Sequence, residues 1–171
     1  MPADAAAGVT AARAAGARHV VLMGASVGAR ASIAAAAMHP AGVAAAVSLS
    51  AERTVRSDPT DLLGRARRVT VPTLLIAARE DPFVAGATLP LLRATAAHDK
   101  QALIVGGLDH GTALLTGAAG ARVTQAILRF VAGALSDRPS GRPASSRRAA
   151  GAAPDSAPAR GGGCAASNAA G

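Results

Sequence analysis

Three residue types with the capacity for acid–base and nucleophilic chemistry stand far apart in this chain. Ser26 lies within Gly24-Ala25-Ser26-Val27-Gly28, a G-x-S-x-G pattern. A serine hydroxyl is a weak nucleophile until a neighbouring base takes its proton, so the pattern matters only if a base and an orienting group converge on it. His110, within Asp109-His110-Gly111, supplies a base, and Asp81, within Arg79-Glu80-Asp81-Pro82, supplies a carboxylate to hold the imidazole. Glu80 and Asp109 compete with Asp81 for that role. Side chains adjacent in sequence usually diverge, which argues against Asp109, and Glu80 leaves the chain on another bearing. The remaining histidines carry less: His19 opens a strand, while His39 and His98 sit near helix ends, where a cation is favourable. Asp58 and Asp61 read as turn and helix-capping residues.

The elements that must position these groups can be traced from the apolar pattern. His19–Met23 is a short continuous apolar run ending in glycine, which favours a buried strand over a helix. Val43–Leu49, Val71–Ala77 and Gln101–Val105 give three more strands. Helices are expected over Ala5–Gly16, Ala29–Met38 (closed by His39-Pro40), Leu89–Ala97 and Ala121–Leu135, the last with Val123, Ile127, Phe130 and Val131 on one face. Alternating helices and apolar strands predict an α/β fold with a parallel sheet. Ser26 then occupies a strand-to-helix turn, Asp81 follows the third strand, and His110 follows the fourth. All three fall on the rim formed by the strands' C-terminal ends, where open α/β sheets bind ligands.

The context of Ser26 has a steric logic. A serine in a sharp strand-to-helix turn takes a strained backbone conformation, and glycines at positions 24 and 28 let strand and helix approach. The turn lifts the hydroxyl above the sheet edge and aims the Val27 amide at a developing oxyanion. With this motif between strand and helix, and the order serine, acid, histidine, residues 5–135 resemble the C-terminal half of an α/β-hydrolase, in the style of dienelactone-hydrolase-like enzymes and small esterases. The resemblance implies a serine hydrolase cleaving ester, lactone or related acyl bonds of a small-molecule substrate through an acyl-serine intermediate. Ser26 would be the nucleophile, His110 the proton relay, Asp81 the orienting acid and Val27 one oxyanion donor. No metal or organic cofactor is implied.

The resemblance also implies about four parallel strands with flanking helices, the family's N-terminal strands missing, because the motif comes at residue 26. The His19–Met23 strand would then be an exposed edge, apt to recruit a second chain or another copy of itself. The loop giving the second oxyanion amide would be absent, at a cost on the order of 100- to 1,000-fold in rate. Three explanations compete: a fragment with a misplaced start, a chain completed by a partner, or a non-catalytic remnant. The fragment reading is preferred. An interaction module built on the exposed edge is the rival from another functional class.

Composition narrows the field further. The chain has 171 residues with a formal charge of +8, half of it hydrophobic but much of that alanine, so the core depends on scattered Val, Leu and Ile. The arginines, Arg30 among them, read as a solvated basic surface. No aromatics interleave with them to stack on bases, which argues against nucleic acid. No signal or membrane segment is evident, and the expected location is cytoplasmic. Residues 1–135 form the expected hydrolase half-domain. Residues 136–171, which hold the single Cys164, form an Ala/Gly/Pro/Ser/Arg-rich tail without hydrophobic periodicity, expected to be disordered.

Overall fold

The computed structural model describes residues 2–38, 40–53, 61–84 and 86–136. His39, Asp58 and the tail from residue 137, with Cys164, lie outside the described residues. Helix α1 (Pro2–Ala14) precedes strand β1 (Val20–Ala25), helix α2 (Val27–Ala36) and strand β2 (Val43–Leu49). A short helix α3 (Leu62–Ala66), strand β3 (Thr73–Ala78), helix α4 (Thr88–Ala94) and strand β4 (Lys100–Val105) follow. A 3₁₀ turn over Gly111–Leu115 leads into the long helix α5 (Gly120–Ser136).

The four strands form one parallel sheet in the order β1-β2-β3-β4. Right-handed crossovers that step in one direction along a sheet put every crossover helix on the same face. Accordingly, one core cluster joins Val9 of α1, Ile33 of α2, Leu62 of α3 and Leu91 of α4 to Leu22, Ala46 and Leu75 of the sheet. Small side chains at Ala29, Ala36 and Ala46 in that cluster allow α2 to lie close on the strands.

The opposite face belongs to α5, whose Val123, Ile127, Phe130 and Ala134 recur at helical spacing and are all buried. They meet Val47, Leu49, Leu74 and Ile76 of β2 and β3. Burying an aliphatic or aromatic side chain of this size stabilises by roughly 1.5–3 kcal/mol. This stripe therefore holds α5 in place with little help from its polar face. Helix α5 packs on β2 and β3, and Met23 of β1 is left 54% exposed. Among the described residues β1 is paired on one side only, with β2.

Several boundaries differ from the sequence expectation for physical reasons. β1 runs on through Gly24 to Ala25, and α2 starts at Val27, so Ser26 alone makes the turn. Helix α3 is too short to show periodicity. Its N-cap Asp61 accepts a hydrogen bond from the Gly64 amide (3.0 Å), the capping role expected of it. The turn after His110 carries no hydrophobic period either. No helix among the described residues is long and apolar enough to cross a membrane.

Candidate active site

The parallel register brings the C-terminal ends of the strands to one rim: Ala25 pairs with Leu49, Leu49 with Ile76, and Ala78 with Val105. Just beyond β1, Ser26 has φ 52° and ψ −117°, outside the regions a non-glycine residue ordinarily occupies. Such strain costs on the order of 1–3 kcal/mol and persists only where the surroundings over-determine it. Here the Ser26 amide donates to Leu49 O (2.9 Å), while its carbonyl accepts from Ala29 (3.0 Å) and Arg30 (3.2 Å), the first turn of α2. The next residue, Val27, opens α2, where backbone N–H groups have no intrahelical partner and point outward.

Of the two flanking glycines, Gly24 bears the steric demand. A Cβ there would collide with the backbone carbonyl of Gly28 and lie 2.8 Å from Ser32 Oγ. A Cβ on Gly28 would meet nothing within 4 Å. The expectation that both glycines are needed for the close approach is therefore corrected: α2 crosses β1 at Gly24, and the Gly28 side faces open space.

Asp81 is fully buried, and both carboxylate oxygens are used. Its Oδ2 lies 2.7 Å from His110 Nδ1, and its Oδ1 accepts the Phe83 amide at 3.0 Å. His110, with 27% of its side chain exposed, also meets the Phe83 ring edge-to-face, with centroids 5.1 Å apart. Phe83 thus braces the pair twice, through its backbone and through its ring. The rival carboxylates have other work. Glu80 Oε2 accepts the Gly107 amide (2.6 Å) while the Glu80 amide donates to Gly107 O (3.2 Å), so the turns after β3 and β4 are clasped together. The Asp109 carboxylate fills the space that a Cβ on Gly117 would take.

Gly111 brings the histidine turn to the serine. A Cβ on Gly111 would lie 3.7 Å from Ser26 Cβ and 3.9 Å from Ser26 N, and its φ of 59° suits glycine. No hydrogen bond among the described residues joins Ser26 Oγ to His110. The structure pairs Asp81 with His110 directly and sets Ser26 against the next residue. In unliganded sites such hydrogen bonds are often long and tighten when substrate binds.

Two residues not singled out from sequence also hold the rim. Ser50, directly after β2, is fully buried, and its Oγ accepts the Gly111 amide at 2.9 Å. Arg30 corrects the reading of a solvated cation. It is 1% exposed, and its Nη1 donates to the carbonyls of Glu52 (2.7 Å) and Arg53 (2.8 Å), which ties α2 to the segment after β2. A cavity of about 320 Å³ lies elsewhere, between α4 and the ends of β3 and β4, with Arg79, Val84, Leu89 and Ile104 in its wall. No cluster of three metal-ligating side chains occurs among the described residues.

No protein-family model matches the sequence, and no curated protein matches it. Solved structures do match. The chain is similar to monoacylglycerol lipase of Paleococcus ferrophilus at 14% identity, with 78% of this chain and 76% of that one covered and a TM-score of 0.65. It is similar to E-2-(acetamidomethylene)succinate hydrolase at 18% identity, covering 77% and 74%, with a TM-score of 0.61. It is also similar to a dienelactone hydrolase of Anabaena variabilis at 26% identity, covering 67% of this chain but only 49% of that one, with a TM-score of 0.55. The four parallel strands, the flanking helices and these likenesses define a partial α/β-hydrolase fold.

Proposed function

We propose that this chain is a serine hydrolase acting on an ester, lactone or related acyl bond. The observation that carries the reading is the buried Asp81 carboxylate held 2.7 Å from His110 Nδ1, on the rim where strained Ser26 closes β1. In this reading His110 takes the proton from Ser26 Oγ as the oxygen adds to the substrate carbonyl carbon. The resulting oxyanion is met by the Val27 amide at the start of α2. His110 then gives the proton to the departing alkoxide, which leaves an acyl-serine and the alcohol. Water, deprotonated by the same histidine, releases the acid and restores Ser26. Asp81 stays ionised and fixes the imidazole tautomer and orientation. The hydrolases among the structural neighbours support the class of reaction.

The test is the intact mass of the full chain after exposure to a fluorophosphonate, beside Ser26→Ala. One adduct in the parent chain and none in the variant is the expected result. A folded parent chain that takes up no adduct would refute the reading.

One observation favours a second role. Among the described residues β1 has a strand partner on one side only, and Met23 is exposed on the part of the α5 face that the helix does not cover. An unpaired, apolar parallel strand recruits another strand, either from a second copy or from a different chain. Met23→Lys, which charges that face, should lower the sedimentation-derived mass if the edge is used in this way. An unchanged mass would argue that it is not.

A further inference from the structure

We propose that Ser50 is a positioning residue for the histidine turn, and that its hydroxyl sets the distance between His110 and Ser26. The inference rests on the serine hydrolase reading above and extends it to a residue with no role in the proton relay.

Three observations converge on Ser50. Its side chain is completely buried at the end of β2, between the strands that carry Ser26 and Asp81. Its backbone has φ 56°, and besides Ser26 it is the only non-glycine with positive φ among the described residues. Its amide continues the sheet by donating to Ile76 O (2.8 Å), which locks that conformation in place. The strain turns the hydroxyl to a group 61 residues away, the Gly111 amide, at 2.9 Å in a buried setting.

Gly111 lies beside Ser26, so that a Cβ on it would stand 3.7 Å from Ser26 Cβ, and it follows His110 directly. A single buried hydrogen bond thus fixes the hinge on which the imidazole approaches the nucleophile. Asp81 sets the orientation of the ring, whereas Ser50 sets where the ring stands. An acceptor is needed here because the Gly111 amide is removed from water. Without one, the amide must shift to find another partner, and His110 moves with it. A misplacement of about 1 Å in a reacting pair costs on the order of 100-fold in rate.

The experiment compares Ser50→Gly with Ser50→Ala in the full chain. Both remove the acceptor. They differ in backbone strain, because glycine adopts a φ of 56° freely and alanine does not. Ser50→Gly should therefore unfold at a higher temperature than Ser50→Ala. Both variants should nevertheless lose the same factor, roughly 10- to 100-fold, in the rate constant for fluorophosphonate labelling of Ser26 and in kcat on an activated ester. KM should stay within about twofold in each, since an unreacted substrate gains little from the exact position of the histidine.

Loss of labelling that tracks melting temperature across the two variants would overturn the proposal in favour of a purely structural serine. A second readout needs no turnover: hydrogen exchange at the Gly111 amide should accelerate in both variants, while exchange in the middle of β2 is unchanged in Ser50→Gly. The hydrogen bond between His110 and Asp81 should persist in both. If the parent chain itself is inert to the probe, the hydrolase reading fails, and exchange at Gly111 still decides what Ser50 holds. Wild-type exchange there in both variants would overturn the positioning role.

Discussion

Ser26 and His110 are held in place by different means. Ser26 is fixed by its own neighbourhood: Gly24 two residues before it, the first turn of α2 directly after it, and one ladder bond to Leu49. His110 is fixed from a distance, by Asp81 from 29 residues away, and its turn is tied by Glu80 to Gly107 and by Ser50 to Gly111 across 27 and 61 residues. The Ser26 turn is set mainly by nearby residues, whereas the His110 turn is set by the assembled rim. Damage near Ser26 should therefore strike folding and activity together. Damage around His110 should strike activity and leave folding largely intact.

Removing the carboxylate charge should give the largest separation of the two. Asp81→Asn keeps the shape of the side chain but favours the wrong imidazole tautomer, and kcat should fall on the order of 10,000-fold with the circular dichroism spectrum unchanged. Partial unfolding in this variant would show that the base end also carries the fold. Gly24→Ala tests the other end. Its methyl meets the Gly28 backbone carbonyl, which cannot yield without moving α2, so stability should drop by about 1–3 kcal/mol in urea titration and labelling of Ser26 should fall with it. A stable Gly24→Ala with normal labelling would break the idea of a locally determined nucleophile. The smallest effect is expected at Glu80→Gln, which leaves an uncharged acceptor for the Gly107 amide. It should change stability very little and lower kcat only a few-fold, on the scale of one weakened charge-assisted hydrogen bond. A loss as deep as that of Asp81→Asn would show that the acid's role does not rest on Asp81 alone.

The same division explains what could be read from the residues alone. The parallel α/β sheet was legible because each strand is a compact apolar run and α5 shows a clear helical stripe. Ser26 was legible because its surroundings are contiguous in sequence. Preference for Asp81 over Glu80 follows from bearing and rim position; in the structure Asp81 lies 2.7 Å from His110 Nδ1, while Glu80 holds the Gly107 amide. Ser50 was not legible. It stands in Ser48-Leu49-Ser50 as one more small residue at a strand end, and its partner lies 61 positions on. Arg30 was misread because an arginine in an alanine-rich helix looks solvated until the segment after β2 folds back over it. Five-residue α3 and the 3₁₀ turn are set by caps and local bonds, which leave no periodic trace.

The strand order also dictates a timetable for synthesis. Each strand pairs with the one that follows it in sequence, so a chain leaving the ribosome can lay the sheet down one unit at a time. The turn bearing Ser26 is complete once α2 and β2 have emerged, but the imidazole arrives only behind β4. Between those two points the nascent chain presents the Ser26 turn without the imidazole. On the hydrolase reading proposed above, reactivity should switch on in one late step, and fluorophosphonate labelling of chains stalled before and after residue 136 would time it.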